Sequence, residues 1–323
     1  MVSSYKIMEK YTMKKVSIVV ACYNEEKNVI PLVASIKKLF SEKLYNYAYE
    51  IIFIDNDSTD NTQQQIIALC QGDKCIKAIF NSRNFGSIRS SVYGLLNASG
   101  DCVIKMCADF EDPPELIVNF VNEWEKGSKI VLGIKNKTKE KFPMSFIRTV
   151  YYKFIKKITD INHIDNFVGY GLYDKKFIDI VRELKDPMPY FRGIVAELGF
   201  KHKTVFYTRP VRKCGKSKYN FYRLYDYAML GITAYSKIPL RILCFIGGIC
   251  ALGSIFTAFG YTVYKIFNWH SFSMGMAPVI IGIYFLGSMQ LLFLGIMGEY
   301  ILNINTRVLN RPLITEERRI NFE

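Results

Sequence analysis

The chain has 323 residues, half of them hydrophobic, and a formal net charge of +14. This length suffices for one large domain or two small ones with buried cores. Eight cysteines without a CxxC pair, together with only three histidines, argue against a zinc site or a disulfide framework. The positive charge suits either nucleic acid or an anionic lipid surface as a partner.

Two long apolar runs lie in the last third of the sequence. Residues 242–264 contain no charged side chain, and residues 266–298 contain no Asp, Glu, Lys or Arg and one histidine, His270. A helix of about 20 residues crosses a hydrocarbon core of roughly 30 Å. We therefore predict membrane-spanning helices at 238–267 and 275–303, joined by a short outer turn.

Basic residues crowd beside both apolar runs. Those before the first run are Lys213, Lys216, Lys218, Arg223, Lys237 and Arg241, and those after the second are Arg307, Arg311, Arg318 and Arg319. The positive-inside rule then puts both termini in the cytoplasm of a multi-pass protein of the inner (cytoplasmic) membrane. The N-terminus does not look like a signal peptide, because only a short apolar stretch follows Lys14 and Lys15. The crowding favours lipid headgroups over nucleic acid, although these residues could serve only to set topology.

Strand and helix patterns alternate through the first part of the chain. The predicted strands are residues 16–21, 50–54, 75–80, 103–106 and 130–133, with apolar helical stripes between them and a fourth helix opening at Pro113 and Pro114. Such a series predicts a mainly parallel sheet covered on both faces. The predicted organisation is a cytoplasmic domain at 1–210, a basic and aromatic segment at 211–237, the two spans, and a cytoplasmic tail at 304–323.

Polar side chains follow four of these strands, at the edge where ligands bind in open α/β sheets. They are Tyr23, Asn24 and Glu25, then Asp55, Asn56 and Asp57, then Arg83 and Asn84, and finally Asp109, Glu111 and Asp112. A group of acids with one arginine suggests a divalent cation, Mg²⁺ or Mn²⁺, and a phosphate-bearing ligand. The alternative is that these residues are turn and helix-cap residues.

The sequences at the strand ends favour a ligand site over turn and helix-cap residues. Residues 16–26 (VSIVVACYNEE), 54–62 (IDNDSTDNT), 82–86 (SRNFG) and 108–115 (ADFEDPPE) resemble, in order and spacing, the family 2 glycosyltransferases with the GT-A fold. The likeness extends through Arg192 and Gly193, residues 212–219 (RKCGKSKY), residues 298–300, Arg311 and Pro312. More narrowly, the chain resembles bacterial polyprenyl-phosphate glycosyltransferases related to dolichol-phosphate mannose synthase.

The resemblance implies a Rossmann-like GT-A catalytic domain with a nucleotide-sugar site and a metal site. The nucleotide-sugar residues would be Ala21, Tyr23, Glu25, Asp55, Asn56, Arg83, Asn84 and Gly86. Asp109 would bind the metal with Glu111 as second ligand, and Asp109, Arg83 and Asp112 would be the catalytic group. Three positions depart from the pattern: Cys107 replaces a frequent aspartate, Asn56 replaces another, and Glu111 replaces a common glutamine. A thiol is a poor ligand for hard cations.

A lipid-phosphate acceptor is already ionised and needs no general base, so its site should be cationic. The candidates are Arg212, Lys216, Ser217 and Lys218, with Lys135 and Arg148 as further members. Aromatic and charged residues interleave from Tyr219 to Pro239, which suits a helix lying at the membrane interface or one packed on the soluble domain. The family implies an inverting transfer of a hexose-type sugar, with uridine favoured over guanosine as the nucleoside.

Three other functions remain open at this point. A processive polysaccharide synthase is disfavoured, because neither tryptophan lies in a Gln-x-x-Arg-Trp motif. A non-catalytic membrane scaffold draws support only from Cys107, and transfer to a hydroxyl would need a base, for which Asp112 is the nearest candidate. The expected partners are a nucleotide sugar, polyprenyl phosphate, the bilayer, a second copy of the chain, a flippase and a downstream glycosyltransferase.

Overall fold

A computed structural model describes residues 13–136, 164, 166–208, 221–267 and 276–322. The chain divides into two compact units. The first, the sheet unit, comprises Met1–Ser145, His163–Lys218 and Asn310–Glu323, and the second, the helical unit, comprises Phe146–Asn162 and Tyr219–Leu309.

The sheet unit is built on a mixed, mostly parallel sheet. Its strands in the described residues are β1 (Lys15–Cys22), β2 (Ala48–Asp55), β3 (Ile76–Asn81), β4 (Cys102–Cys107), β5 (Ile130–Lys135), β6 (Phe167–Asp174), β7 (His202–Tyr207) and β8 (Glu316–Ile320). The spatial order is β7-β5-β6-β4-β1-β2-β3-β8. Strands β3, β2, β1 and β4 run parallel, β6 is antiparallel to both of its neighbours, and β8 is antiparallel to β3. The predicted α/β class is confirmed.

Helices cover both faces of the sheet. They are α1 (Val29–Glu42), α2 (Thr62–Gly72), α3 (Ser87–Leu96), α4 (Leu116–Glu125), α5 (Lys175–Leu184) and α6 (Phe191–Glu197). Helices α1, α2 and α4 share one apolar core with the sheet, and α3, α5 and α6 share the other. Residues of β1 and β2 enter both cores, which is why these strands read as continuous apolar runs rather than alternating ones.

The start of α4 and the C-terminal tail differ from the sequence prediction. Helix α4 begins at Leu116, because Pro113 and Pro114 lie in the preceding turn, where their carbonyls accept from the N–H groups of Leu116 and Ile117. More consequentially, the predicted 304–323 tail contains a strand of the sheet: β8 pairs with β3, and Ile314 just before it is buried. The prediction missed β8 because its sequence, Glu-Glu-Arg-Arg-Ile, is that of a charged edge strand, without an apolar alternation.

The helical unit contains α7 (Phe221–Tyr235), α8 (Ile238–Phe267) and α9 (Met276–Val308). In the described part of the chain, two of these, α8 and α9, are long and apolar enough to cross a membrane. Helix α8 has the same bounds as the first predicted span, whereas α9 continues five residues past the predicted end at residue 303. Helix α7 packs on the end of α9: Tyr300 Oη donates to Ser236 O at 2.7 Å, and Asn303 Nδ2 donates to Thr233 Oγ1 at 2.8 Å.

Candidate active site at the carboxyl ends of the strands

The parallel pairing brings four strand ends to one edge of the sheet. Cys22 at the end of β1 is opposite Asp55 at the end of β2, and Phe80 of β3 is opposite the same Asp55. On the other side of β1, Ala21 is opposite Cys107, the last residue of β4. The polar residues that follow these strands in sequence therefore meet along a single rim, as the pattern predicted.

The backbone of this rim turns sharply. Asn24 after β1, Asp57 after β2 and Phe110 after β4 all have a positive φ, at 57°, 65° and 59°. Non-glycine residues rarely adopt this left-handed conformation, and it clusters at functional sites when the surrounding structure holds it. Gly86, with a φ of 87°, supplies the corresponding turn before α3. Every strand-end loop of the rim thus contains one such residue.

Hydrogen bonds tie the loop after β1 to the loop after β2. Asn24 N donates to Ser58 Oγ at 2.8 Å, and Asn24 Oδ1 accepts from Thr59 N at 2.8 Å. The next residue, Glu25, donates through its backbone N–H to Thr62 Oγ1 at 2.8 Å. These bonds fix the backbone from which Tyr23 and Glu25, both half-buried, project.

Asn56 organises the loop after β3. Its Oδ1 accepts from Asn81 Nδ2, Ser90 Oγ and the N–H of Phe85 at 2.9–3.0 Å. Its Nδ2 donates to Asn84 Oδ1 at 2.8 Å, which also accepts from the N–H of Gly86. An aspartate at position 56 would lack the N–H for that bond. The departure from the family pattern at this position therefore has a structural reason, the positioning of the 83–86 loop.

Asp55 is buried, and only one of its two carboxylate oxygens accepts hydrogen bonds from the described residues. Its Oδ2 accepts from Ser58 N at 3.1 Å and Gln63 Nε2 at 2.8 Å, while Oδ1 has no hydrogen-bond partner among the described residues. Burial raises the pKa of this carboxyl, and the bonds from Ser58 and Gln63 counteract that effect. A ligand N–H would satisfy Oδ1. Because Asp55 is fully enclosed, such a contact requires neighbouring side chains to move.

Arg83 is the exposed cation of the rim. Its guanidinium lies 4.1 Å from the centroid of the Phe85 ring, with Arg89 at 5.2 Å from the same ring. Arg89 is anchored, because its Nε and Nη2 donate to the carbonyls of Leu313 and Pro312. Arg83 is available to an anionic ligand at the predicted diphosphate position, since no hydrogen bond holds it to the described part of the chain.

The loop after β4 contains the predicted metal and catalytic acids. Asp109 and Asp112 are both buried, at 6% and 3% exposure. Asp112 Oδ2 accepts from Cys107 N and its Oδ1 from Tyr207 Oη, each at 3.1 Å. Burial raises the pKa of Asp112, against the opposing field of Lys135. Each oxygen of Asp112 thus accepts one hydrogen bond, one from the backbone of the loop and one from β7.

The residues at this loop fit a hard divalent cation that takes part of its coordination from the ligand. Asp109 and Glu111 supply carboxylate oxygens, and Asp109 Oδ1 also accepts from Glu111 N at 3.1 Å. The described residues contain no group of three metal-binding side chains. Mg²⁺ is commonly held by one or two carboxylates plus substrate phosphates and water. Cys107 does not fit such a site, because its thiol is a soft donor and Mg²⁺ and Mn²⁺ prefer oxygen ligands.

The predicted acceptor residues are only partly within the described chain. Lys135, at the end of β5, is half-buried within the field of Asp112 and Asp109, and burial lowers the pKa of its ammonium. Arg148, Arg212, Lys216, Ser217 and Lys218 lie outside the described residues, so their predicted role stays a prediction. Sequence reasoning missed Lys105 of β4, which was counted as part of an apolar strand. A lysine inside such a strand was the signal that could have revealed it.

The domain is an α/β domain whose mostly parallel sheet has helices on both faces and an acidic rim at the strand ends. This is the architecture of a GT-A-like glycosyltransferase domain. The chain belongs to the glycosyl transferase family 2, whose family model matches residues 17–181. The predicted family is confirmed, and the protein is a glycosyltransferase.

Similarity to curated proteins runs along nearly the whole chain. A glycosyltransferase of Bacillus subtilis, CsbB, is 35% identical over 92% of this chain and 89% of its own. The SfII prophage-derived bactoprenol glucosyl transferase of Shigella flexneri is 33% identical over 92% and 96%. Among solved structures, the mannosyltransferase PcManGT of Pyrobaculum calidifontis, in complex with GDP-Man and Mn²⁺, is 13% identical with a TM-score of 0.46 over 93% and 89%.

Proposed function

We propose that this glycosyltransferase moves a hexose-type sugar from a nucleotide sugar, UDP-linked, to a polyprenyl phosphate such as undecaprenyl phosphate. The product would be a lipid-linked phosphosugar used to modify a cell-envelope glycan. The observation that carries the proposal is the similarity to bactoprenol glucosyl transferases over 92% of the chain. The remaining 8% of the chain contains fewer residues than either α8 or α9. The similarity therefore includes at least part of each helix.

On the donor side, the rim supplies acceptors for a base and ribose and cations for a diphosphate. The unpaired Asp55 Oδ1 suits an N–H of the base, and Tyr23 and Glu25 project from the loop beside it. The 83–86 loop, held by Asn56, directs Arg83 toward the diphosphate. A divalent cation held by Asp109 and Glu111 would neutralise charge on the leaving nucleoside diphosphate.

On the acceptor side, a phosphate oxygen attacks the anomeric carbon as the bond from that carbon to the diphosphate oxygen breaks. The electron pair of the broken bond leaves with the nucleoside diphosphate, and no proton has to be removed from the ionised acceptor. Attack from the opposite face inverts the anomeric centre. This route needs no general base, whereas transfer to a hydroxyl requires one within hydrogen-bond reach of the acceptor.

The two long apolar helices support a membrane location for this reaction. Arginines and lysines flank them in sequence, which supports an orientation with the sheet unit and both termini in the cytoplasm. A polyprenyl phosphate in the inner leaflet would then present its headgroup on the side where nucleotide sugars are made.

The test is to identify the product. Membranes containing the protein are incubated with undecaprenyl phosphate and, in turn, each of a panel of labelled nucleotide sugars, and the extracted lipid is analysed by mass spectrometry. The proposal predicts one sugar-phosphate-polyprenol, formed from one donor and absent from membranes lacking the protein. Binding of a nucleotide sugar without a lipid product from any donor would overturn it.

A further inference from the structure

Lys105 is an ammonium group in an unusual place. It lies on β4 between Ile104 and Met106, which are fully buried, and it is itself only partly exposed. Its Nζ has no hydrogen-bond or ion-pair partner among the residues described. A lysine that is largely removed from water is normally paired, because an unpaired buried charge is costly. Its position in the strand that leads to Asp109 suits an anionic ligand.

The strand beside Lys105 makes room for its ammonium. Gly169 of β6 has a φ of 98°, and a Cβ at that position would lie 3.0 Å from Lys105 Nζ. On another side the ring of Phe191, the first residue of α6, has its centroid 5.0 Å from Nζ. Gly169, which has no side chain, and the ring face of Phe191 together define the position of the ammonium group. The cation–π contact partly compensates for its lost hydration and leaves its N–H groups free to donate.

Two other basic residues, Arg192 and Lys135, lie near the end of β4. Arg192 lies within electrostatic range of both Lys105 and Lys135, and its field disfavours the charged form of each. Asp112 acts in the opposite direction on both lysines. Burial is the largest cause of a lowered pKa for Lys105, to about 8, so the ammonium remains mostly charged at neutral pH. Three basic groups around the β4 end form a corner that an anion would stabilise.

We propose that Lys105, supported by Arg192, holds a phosphate group of a reactant beside the Asp109 loop. The proposal rests on the proposed function, which brings two phosphate-bearing molecules to this rim: the nucleoside diphosphate of the donor and the polyprenyl phosphate. Both offer the same chemistry to Lys105, a phosphate oxygen that accepts a charge-assisted hydrogen bond. Lys105 would thereby add positive charge on the side of the loop where Cys107 supplies no metal ligand.

The test compares full-length Lys105→Met with wild type. Methionine keeps the length and the contact with Phe191 and removes only the charge and the donors. The control is Lys175→Met, which changes an exposed lysine on α5. Binding of UDP and of GDP is measured by calorimetry without acceptor, and KM for undecaprenyl phosphate is measured at saturating donor. Thermal unfolding of each variant is followed in parallel.

We expect Lys105→Met to unfold at or above the wild-type temperature, because a buried charge has been removed. We also expect one phosphate affinity to weaken about tenfold or more, the loss associated with one hydrogen bond to a charged group. Weaker UDP or GDP binding assigns Lys105 to the donor diphosphate, and a raised KM for undecaprenyl phosphate with unchanged nucleotide binding assigns it to the acceptor. Unchanged values in both arms would overturn the proposal.

If Lys105→Met unfolds at a lower temperature, Lys105→Gln serves as the second variant, because it removes the charge and keeps a polar side chain, one atom shorter, with an N–H donor. The same loss of affinity in a stable Gln variant supports the proposal, and wild-type affinity in that variant overturns it. The measurement of UDP and GDP binding does not require catalysis. If the wild type makes no lipid product, the proposed function is wrong. Weaker nucleotide binding by the variant would still support an anion site at Lys105.

Discussion

At the scale of single residues, the account depends most on Asp109, the buried acid of the loop after β4. Its carboxylate and that of Glu111 are the hard oxygen ligands that the resemblance assigns to the metal site of this loop. Charge stabilisation of a leaving group is commonly the largest contribution to catalysis. The chemistry should therefore be far more sensitive to Asp109 than the fold is.

We predict that Asp109→Asn lowers kcat at least about 100-fold, the usual effect of removing one group that stabilises transition-state charge. Activity is measured as a titration with Mg²⁺ and Mn²⁺, with Asp179→Asn, an exposed helical acid paired with Arg182, as the matched control. The control should retain wild-type rates. A variant that kept both its rate and its metal requirement would show that Asp109 is not the metal ligand.

Asn56 is the residue whose role the structure changes most. The resemblance assigns Asn56 to the nucleotide-sugar site, at a position where an aspartate is frequent. In the structure its amide bonds to Asn81, Ser90, Phe85 and Asn84, so the amide is what shapes the 83–86 loop.

Replacing Asn56 by Asp should therefore weaken the protein rather than restore a family feature. The new carboxylate would oppose Asn84 Oδ1 at the position of the present 2.8 Å bond. We expect a loss of about 1–3 kcal/mol in the free energy of unfolding, the cost of an unsatisfied buried group, and a raised KM for the donor. Denaturant unfolding and donor titration measure the two effects, with exposed Asn122→Asp as control. Equal or better donor binding by Asn56→Asp would contradict this role.

At the scale of elements, a buried network of charged residues lies near the amino ends of the strands. The rim lies at their opposite, carboxyl ends. Glu50 of β2 is 1% exposed and lies 2.9 Å from the ammonium groups of both Lys15 and Lys77. Ser17 Oγ donates to it at 2.6 Å and Ser99 N at 2.8 Å. The network links β1, β2 and β3 to the loop before β4.

This network predicts a pH dependence of stability. Burial alone would raise the pKa of Glu50, but the bonds from Ser17, Lys15, Lys77 and Ser99 outweigh it and lower the pKa from 4.5 to about 2. A depressed carboxyl pKa contributes stability that is fully present above about pH 4.5 and is lost as the pH falls toward 2. Glu50→Gln should cost about 3–5 kcal/mol at neutral pH, because it removes the buried carboxylate that pairs with both Lys15 and Lys77. It should also flatten the acid limb of a stability-versus-pH curve, and an unchanged limb would contradict the assignment.

The elements also show what the sequence could predict. Strands β1 to β5 and their helices follow from apolar runs and turn residues, and the rim follows from the rule that parallel strands end at one edge. Strand β8 could not be found this way, since its stability comes from pairing with β3 and from Asn321, whose Nδ2 donates to the carbonyls of Cys70 and Ile76. Lys105 was hidden for a related reason: its meaning depends on Gly169 and Phe191, which are distant in sequence.

At the scale of the whole molecule, a glycosyltransferase unit and a helical unit share one chain. Helix α9, with 33 residues, is roughly 50 Å long at 1.5 Å per residue, which exceeds a hydrocarbon core of roughly 30 Å. Its final turns, which bond to α7, would then lie outside that core. The prediction of a 275–303 span followed the apolar composition and ended within the segment of α9 that makes these polar contacts, through Tyr300 and Asn303.

The central claim is that the acceptor is a lipid phosphate attacked without a general base. The most direct measurement compares undecaprenyl phosphate with undecaprenol as the acceptor. Each is placed in otherwise identical liposomes with the purified protein, and the donor is the nucleotide sugar identified from the panel. The account predicts transfer to undecaprenyl phosphate alone, with a β-linked phosphosugar identified by NMR of the anomeric proton and its phosphorus coupling. Transfer to undecaprenol at a comparable rate, or a product with the donor's anomeric configuration, would contradict it.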